Sequence, residues 1–107
     1  MMQVNAKRNN PIYRISSQVR HTRHADSGVV IDIDRGGMFR LNHVGSRMLE
    51  LSNGELGVAE IADKIATEFG TDIETTAQDV KEFFNRLKQL GVVKEHGKAA
   101  GHFSART

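Results

Sequence analysis

The chain has 107 residues, a net charge of +2 and no cysteine. This length is enough for one domain with a small core. The missing cysteines exclude disulfides, thiol catalysis and cysteine-bound zinc. No apolar run reaches the roughly 18 residues of a membrane span, and the polar start carries no secretory signal. We therefore expect a cytoplasmic protein that makes no membrane contact.

The basic charge lies in a flank and not in the middle of the chain. Residues 1–24 carry +5, residues 25–94 carry −4 and residues 95–107 carry +1. Proteins that bind nucleic acid present a basic face on their folded part. The acidic middle of this chain therefore argues against a nucleic-acid partner.

The two ends of the chain also differ from the middle in composition. Residues 1–10 are polar and basic, and the last residues are small and polar without any period. Such segments bury too little apolar surface to fold on their own. The sequence predicts a disordered arm over 1–10, a single domain over 11–94 and a disordered tail over 95–107.

The first half of the predicted domain has the pattern of strands. Residues 13–21 are weakly strand-like, whereas residues 29–34 alternate apolar and acidic side chains like a half-buried strand. Residues 35–37 form a three-residue hairpin loop, with glycine available for a left-handed position. Residues 38–41 are the return strand.

The apolar pattern predicts a register for this hairpin. Pairing Asp34 with Met38 would place four apolar side chains on one face of the hairpin. They are Ile31, Ile33, Phe39 and Leu41. This face is the one that we expect to be buried.

Three helices are predicted after the strands. Asn42 is a suitable N-cap for the first helix, which ends at Asn53-Gly54. The second covers Val58–Phe69, where apolar residues recur at helical spacing before a glycine. The third begins after Asp72 and ends near Leu90. Together these elements predict an α+β fold, with a three-stranded antiparallel sheet followed by a three-helix bundle in a winged helix-turn-helix-like arrangement.

Several short motifs between residues 28 and 94 are specific only in combination. They are a hairpin ending in Leu41-Asn42, a helix ending in Asn53-Gly54, the sequence VAEIA from Val58 to Ala62, and a closing LGVV from Leu90 to Val93. In these motifs the chain resembles the PqqD-like family, whose members are RiPP recognition elements.

The resemblance implies a peptide-binding adaptor and not an enzyme. Such proteins bind the leader peptide of a ribosomally made precursor, like a chaperone, and present it to a modifying enzyme. The partner enzyme is a radical SAM protein in pyrroloquinoline quinone biosynthesis, and a maturation protease or cyclase is the expected partner elsewhere, as for lasso peptides. The resemblance implies no cofactor. It also implies that the leader adds as a strand to the third strand, in a groove that the third helix closes.

The predicted binding surface begins with the free edge of the third strand, because an unpaired edge is a template for an added strand. Its candidate residues are Met38, Phe39, Arg40, Leu41 and Asn42. The third helix supplies an apolar stripe of Phe83, Leu87 and Leu90, whereas Val80 and Phe84 are expected in the core.

Charged residues on the third helix are further candidates. Lys81, Arg86 and Lys88 lie on its other sides, and some of them are expected to pair with acidic leader residues. Arg86 is the one that we place in the binding site.

Two alternatives to this interpretation stay open. A DNA-binding winged-helix regulator would need a basic reading helix, but the second helix carries Glu60, Asp63 and Glu68 against Lys64. A symmetric homodimer through the open strand edge is the other.

Catalysis and metal binding find no support in the sequence. The carboxylates of Asp32 and Asp34 have no accompanying nucleophile or base, and we interpret them as the solvated face of a strand. The histidines His21 and His24 have no further residue nearby at metal-ligand spacing.

Overall fold

The structure is a computed structural model that describes residues 10–98. Within these residues, four strands are followed by a helix, a fifth strand, two helices and a sixth strand. The strands are β1 (Pro11–Ile15), β2 (Val19–His24), β3 (Ser27–Asp32), β4 (Gly37–Asn42), β5 (Asn53–Gly57) and β6 (Val93–Lys98). The helices are α1 (His43–Glu50), α2 (Val58–Phe69) and α3 (Ile73–Gln89). The predicted α+β class and the three helices are confirmed.

The strands form two antiparallel sheets of three strands each. One sheet has the order β2-β3-β4 and corresponds to the predicted meander. The other has the order β5-β1-β6 and was not predicted. It joins the start of the domain to its end, because Tyr13 pairs with Glu95 and Pro11 with Lys98. The winged helix-turn-helix likeness stays a prediction.

The predicted strand over residues 13–21 is in fact two strands that belong to different sheets. The chain turns between them, where the Val19 backbone N–H donates to the Ser16 carbonyl at 3.0 Å. The Ser16 hydroxyl also donates to the Gly91 carbonyl at 2.8 Å, across 75 positions of sequence. A long-range contact therefore stabilises the break between β1 and β2, and the local sequence pattern does not predict it.

The predicted register of the β3–β4 hairpin is wrong by three residues. Met38 pairs with Ile31 and not with Asp34, and Phe39 pairs with Val30. A shift by an odd number of residues moves the other set of side chains to the inner face. Val30 is therefore fully buried, whereas Ile31 and Ile33 are 39% and 56% exposed.

The hairpin loop explains this difference. The connection comprises the four residues 33–36, since Asp32 is the last residue of β3. The Asp32 carboxylate accepts the Arg35 backbone N–H at 3.1 Å, and its carbonyl accepts the Gly36 N–H at 2.7 Å. Gly36 has a φ of 75°, a left-handed value that suits glycine. The turn is therefore closed by Asp32, which was predicted to lie on the solvated face of the strand.

One apolar core fills the space between the helices and both sheets. Its centre is Phe84, which is fully buried and stacks on Tyr13 of β1 with ring centroids 5.3 Å apart. The other buried apolar residues are Val19, Val30, Met48, Leu49, Leu51, Val58, Ile61, Ala62, Ile65, Val80, Leu87, Val92 and Val93.

Three helix boundaries follow local signals in the sequence, but the predicted end of the first helix at Asn53-Gly54 is wrong, because α1 ends at Glu50 and both residues belong to β5. The Asn42 side chain accepts the Gly45 N–H at 2.8 Å, and Asp72 accepts the Thr75 N–H at 2.9 Å. Gly70 ends α2 with a φ of 65°. The predicted span Val58–Phe69 of the second helix is confirmed.

The ends of the domain depart from the predicted boundaries. The predicted tail begins at residue 95, but residues 95–98 continue β6 beside β1. The rest of that tail, and residues 1–9 of the predicted arm, lie outside the described residues. Among the described helices, none is long and apolar enough to cross a membrane.

Candidate functional site

The free edge of the β2-β3-β4 sheet is the first component of the site. β4 pairs with β3 on one side, and no strand within residues 10–98 pairs with its other side. Phe39 and Leu41 turn inward and are half-buried, whereas Met38, Arg40 and Asn42 are exposed. An edge of this kind offers a row of backbone donors and acceptors to another strand.

An apolar groove, which we call the β4–α3 groove, lies beside this edge. It has a volume of about 790 Å³. Residues from β4 and all three helices line it, and they are Arg40, Leu41, Asn42, Val44, Gly45, Met48, Ile65, Phe69, Thr71, Asp72, Thr75, Thr76, Asp79 and Phe83. A cavity of this size, mostly apolar with a few polar groups, is typical of a ligand site.

Gly45 in the first turn of α1 allows Phe83 to reach the groove. A Cβ at this position would lie 3.3 Å from the Phe83 ring, a distance tighter than ordinary contact. The Phe83 ring in turn packs edge-to-face on Phe84 at 5.2 Å. Phe83 is thus anchored on a core residue while one side of it lines the groove.

The ion pair between Arg47 and Glu68 fastens α1, which forms one wall of the groove, to α2. The Arg47 guanidinium donates to both carboxylate oxygens of Glu68, at 2.8 and 2.7 Å, and to Glu50 at 2.9 Å. Hydrogen bonding to Glu68 raises the pKa of Arg47, and the same contact lowers the pKa of the Glu68 carboxyl. Bidentate pairs are the more specific kind of ion pair, so this one favours a defined arrangement of the two helices.

A partly buried hydrogen bond fastens α1 to the sheet. His21 Nε2 on β2 and Ser46 Oγ on α1 lie 2.8 Å apart, and Ser46 is fully buried. Burial lowers the pKa of the His21 imidazole. Gly28 on β3 leaves the space that these two side chains occupy.

The structure brings part of the predicted site together. Arg40, Leu41, Asn42 and Phe83 line the β4–α3 groove. Met38 and Phe39 lie on the same edge strand but outside the lining of the groove.

The other predicted helix residues lie elsewhere on α3. Leu87 is only 3% exposed and belongs to the core, because it lies on the same side of α3 as Phe84. Arg86 and Leu90 are exposed further along α3. The Leu90 carbonyl accepts Arg35 Nη1 at 3.1 Å, which ties the end of α3 to the hairpin loop beside β4.

The predicted basic residues of α3 face a different side. Lys81 and Lys88 line a separate depression together with Tyr13 and Glu95, and Lys88 pairs with Glu95 at 3.4 Å. Lys81 and Lys88 therefore lie away from the β4–α3 groove, although they were expected to pair with acidic residues of the leader.

Sequence reasoning missed the groove residues of α1 and α2. Val44, Met48, Ile65 and Phe69 line the groove but were not among the predicted site residues. Ile65 and Phe69 are one helical turn apart, and this spacing predicts that both lie on the same face of the helix. It did not reveal that Phe69 would be left half-exposed at the rim.

Within residues 10–98, no group of three or more acidic or histidine side chains is placed to hold a metal ion. Asp32 and Asp34, the carboxylates considered above, do not form a joint site. Asp32 is buried and closes the hairpin loop, whereas Asp34 is exposed within that loop.

Comparison with known proteins agrees with this geometry. The family model of coenzyme PQQ synthesis protein D (PqqD) matches residues 27–93. The chain therefore belongs to the PqqD family. A comparison with curated proteins found no match.

Two solved structures share the fold. The structure of TbiB1 in complex with the TbiA(beta) leader peptide is 28% identical, with a TM-score of 0.69 over 76% of this chain and 94% of that chain. The structure of lasso peptide synthetase B1 complexed with the leader peptide is 16% identical, with a TM-score of 0.69 over 78% of this chain and 98% of that chain.

Proposed function

We propose that this protein is a RiPP recognition element, an adaptor that binds the leader of a ribosomally made precursor peptide and presents it to a modifying enzyme. The observation that carries the proposal is the outer edge of β4, which no strand within residues 10–98 covers and which lies beside an apolar groove. It stands in a PqqD-family chain whose fold matches that of TbiB1, a protein solved with a leader peptide.

The physical basis of binding is strand addition. Backbone hydrogen bonds from the β4 edge hold an extended peptide almost regardless of its sequence. Side chains on alternate positions of that peptide then face the groove, because successive residues of a strand point to opposite faces. The apolar groove lining, with Met48 and Phe83 among its members, is what distinguishes one peptide from another.

The adaptor role requires no chemistry from this chain. We expect no catalytic activity, and we expect the partner to be a radical SAM protein or a maturation protease or cyclase. A peptide held at an open sheet edge keeps its remaining residues free for such an enzyme.

The DNA-binding alternative is set aside. The family and the fold matches both point to peptide recognition. The exposed face of α2 also carries Asp63 and Glu68 beside Lys64, so it lacks the basic surface that a reading helix needs.

Titration of isotope-labelled full-length protein with the leader peptide tests the proposal. The probe is the TbiA(beta) leader, and a scrambled version of that leader is the control. We expect amide shifts in residues 38–42 and around Phe83. Binding with shifts confined to other surfaces, or shifts with duplex DNA alone, would contradict the adaptor.

A second measurement tests strand addition itself. Methylating single backbone nitrogens of the leader removes one donor at a time. In an added strand, every second N–H points toward β4. We therefore expect affinity to fall at alternate positions only, whereas a helical peptide in the groove would give no period of two.

A further inference from the structure

The charges around the β4–α3 groove are divided between its two walls. Arg40 lies on the β4 wall, whereas Asp72 and Asp79 lie on the α3 wall. Asp72 uses one carboxylate oxygen to cap α3 at Thr75 N. Neither the Asp79 carboxylate nor the Arg40 guanidinium forms a hydrogen bond or an ion pair with any residue between 10 and 98.

The acidic wall has a fixed spacing from the apolar part of the groove. Asp79 precedes Phe83 by four residues of α3, which is about 6 Å along the helix. Residues i and i+2 of an extended peptide lie about 6.6 Å apart on the same face. A peptide side chain that contacts Phe83 therefore has its second neighbour opposite Asp79.

The structure also gives the direction of this neighbour along β4. Phe83 approaches Gly45, just beyond Asn42, whereas the C-terminal end of α3 meets the hairpin loop through the bond between Arg35 and Leu90. α3 thus runs beside β4, with its acidic N-terminal half at the Asn42 end.

We propose that the β4–α3 groove selects peptides that carry a large apolar residue and a lysine or arginine two positions away from it. The basic residue is the one of the two that lies further along β4 in the direction from the hairpin loop to Asn42. The inference rests on the proposed function, since it takes an added strand as the occupant. The apolar residue fills the space among Met48, Ile65, Phe69 and Phe83, and the cation meets the Asp79 carboxylate. This preference is the opposite of the acidic leader residues that the sequence predicted.

Selection from a random library tests the preference without knowledge of the natural leader. Random 12-residue peptides displayed on phage are selected on the full-length wild-type chain, on Asp79→Lys and on the control Asp63→Asn. Asp63 is exposed on α2 and lies outside the groove lining. Circular dichroism establishes that all three proteins are folded.

The expected result is a basic residue at a constant spacing of two from an apolar residue in the peptides enriched on wild type and on Asp63→Asn. On Asp79→Lys this basic residue is replaced by aspartate or glutamate. In a titration, a wild-type-selected peptide should bind Asp79→Asn about two- to five-fold more weakly, the effect of one exposed charge pair.

Two results would overturn the inference in different ways. Enriched peptides that share an apolar residue but no basic neighbour, or a preference that Asp79→Lys leaves unchanged, would remove the charge rule and leave the adaptor intact. Failure to enrich any peptide on wild type would count against the adaptor function itself, and the charge rule would fall with it.

Discussion

Gly28 lies where the packing leaves no room for a side chain. A Cβ at this position would collide with Ser46 Oγ and would lie 2.8 Å from His21 Nε2, and Ser46 is fully buried. We predict that Gly28→Ala lowers the free energy of unfolding by roughly 1–3 kcal/mol, the usual cost of overpacking. Urea denaturation measures this change.

A matched glycine serves as the control for this prediction. Gly37 begins β4 with nothing within 4 Å of its Cβ position and without a positive φ. Gly37→Ala should therefore leave the midpoint of unfolding nearly unchanged. Equal effects of the two substitutions would mean that the His21–Ser46 contact does not fill the space beside Gly28.

His21 should make stability depend on pH. Burial lowers its folded-state pKa, whereas the unfolded chain has the ordinary value of about 6.5. As pH falls through that value, the unfolded state binds the proton first, so stability decreases until the folded-state pKa is reached. Below that point, this residue causes no further loss.

The measurement compares wild type with His21→Gln by urea denaturation at several pH values between 7.5 and 5. The nearest charged groups are Glu50, which opposes the lowered pKa, and Arg23, which adds to it. We expect a smaller pH dependence in the variant over this interval. Parallel curves for the two proteins would show that His21 is not the responsible group.

At the scale of elements, the ion pair of Arg47 links α1 to α2. We predict that Arg47→Gln lowers the free energy of unfolding by about 0.5–1 kcal/mol, because the pair is bidentate but partly exposed. The loss should shrink in high salt, which screens such pairs. Lys94→Gln is the control, since Lys94 is exposed and forms no ion pair within residues 10–98. A salt-independent loss in Arg47→Gln would assign the effect to packing of its stem.

The contacts within and between these elements explain which parts of the fold could be predicted from the sequence. The starts of α1 and α3 and the end of α2 were predictable because Asn42, Asp72 and Gly70 act on backbone groups within a few residues. The hairpin register was not, since the choice between burying Val30 and burying Ile31 depends on what packs beneath the sheet. The second sheet was equally hidden, because β1 and β6 are joined only in the folded chain.

The candidate site was likewise predictable where it depends on local pattern and unpredictable where it depends on the packing of distant elements. Its edge strand could be read from the hairpin pattern, and Phe83 from its place on the third helix. The remaining apolar lining required the relative position of three helices. Leu87 illustrates the limit, since one helical turn separates it from the groove residue Phe83 and yet it is buried.

For the whole molecule, the β5-β1-β6 sheet closes the domain by joining its two ends. A chain that stops after Lys94 loses the pairs of Glu95 with Tyr13 and of Lys98 with Pro11. With a few backbone hydrogen bonds at about 0.5–1.5 kcal/mol each, we predict a loss of roughly 2–4 kcal/mol in the free energy of unfolding. A chain that stops after Lys98 keeps every described contact and is the control.

This truncation should also weaken the packing of the β4–α3 groove, although the β5-β1-β6 sheet does not line it. Tyr13 stacks on Phe84, and Phe84 supports the ring of Phe83, so loosening β1 loosens a groove wall through two ring contacts of 5.3 and 5.2 Å. We expect the chain ending at Lys94 to bind a leader peptide more weakly than the chain ending at Lys98, even at temperatures where both are folded. Calorimetric titration of the two chains measures the difference. Equal affinities would mean that the groove is held by α1 and α2 alone.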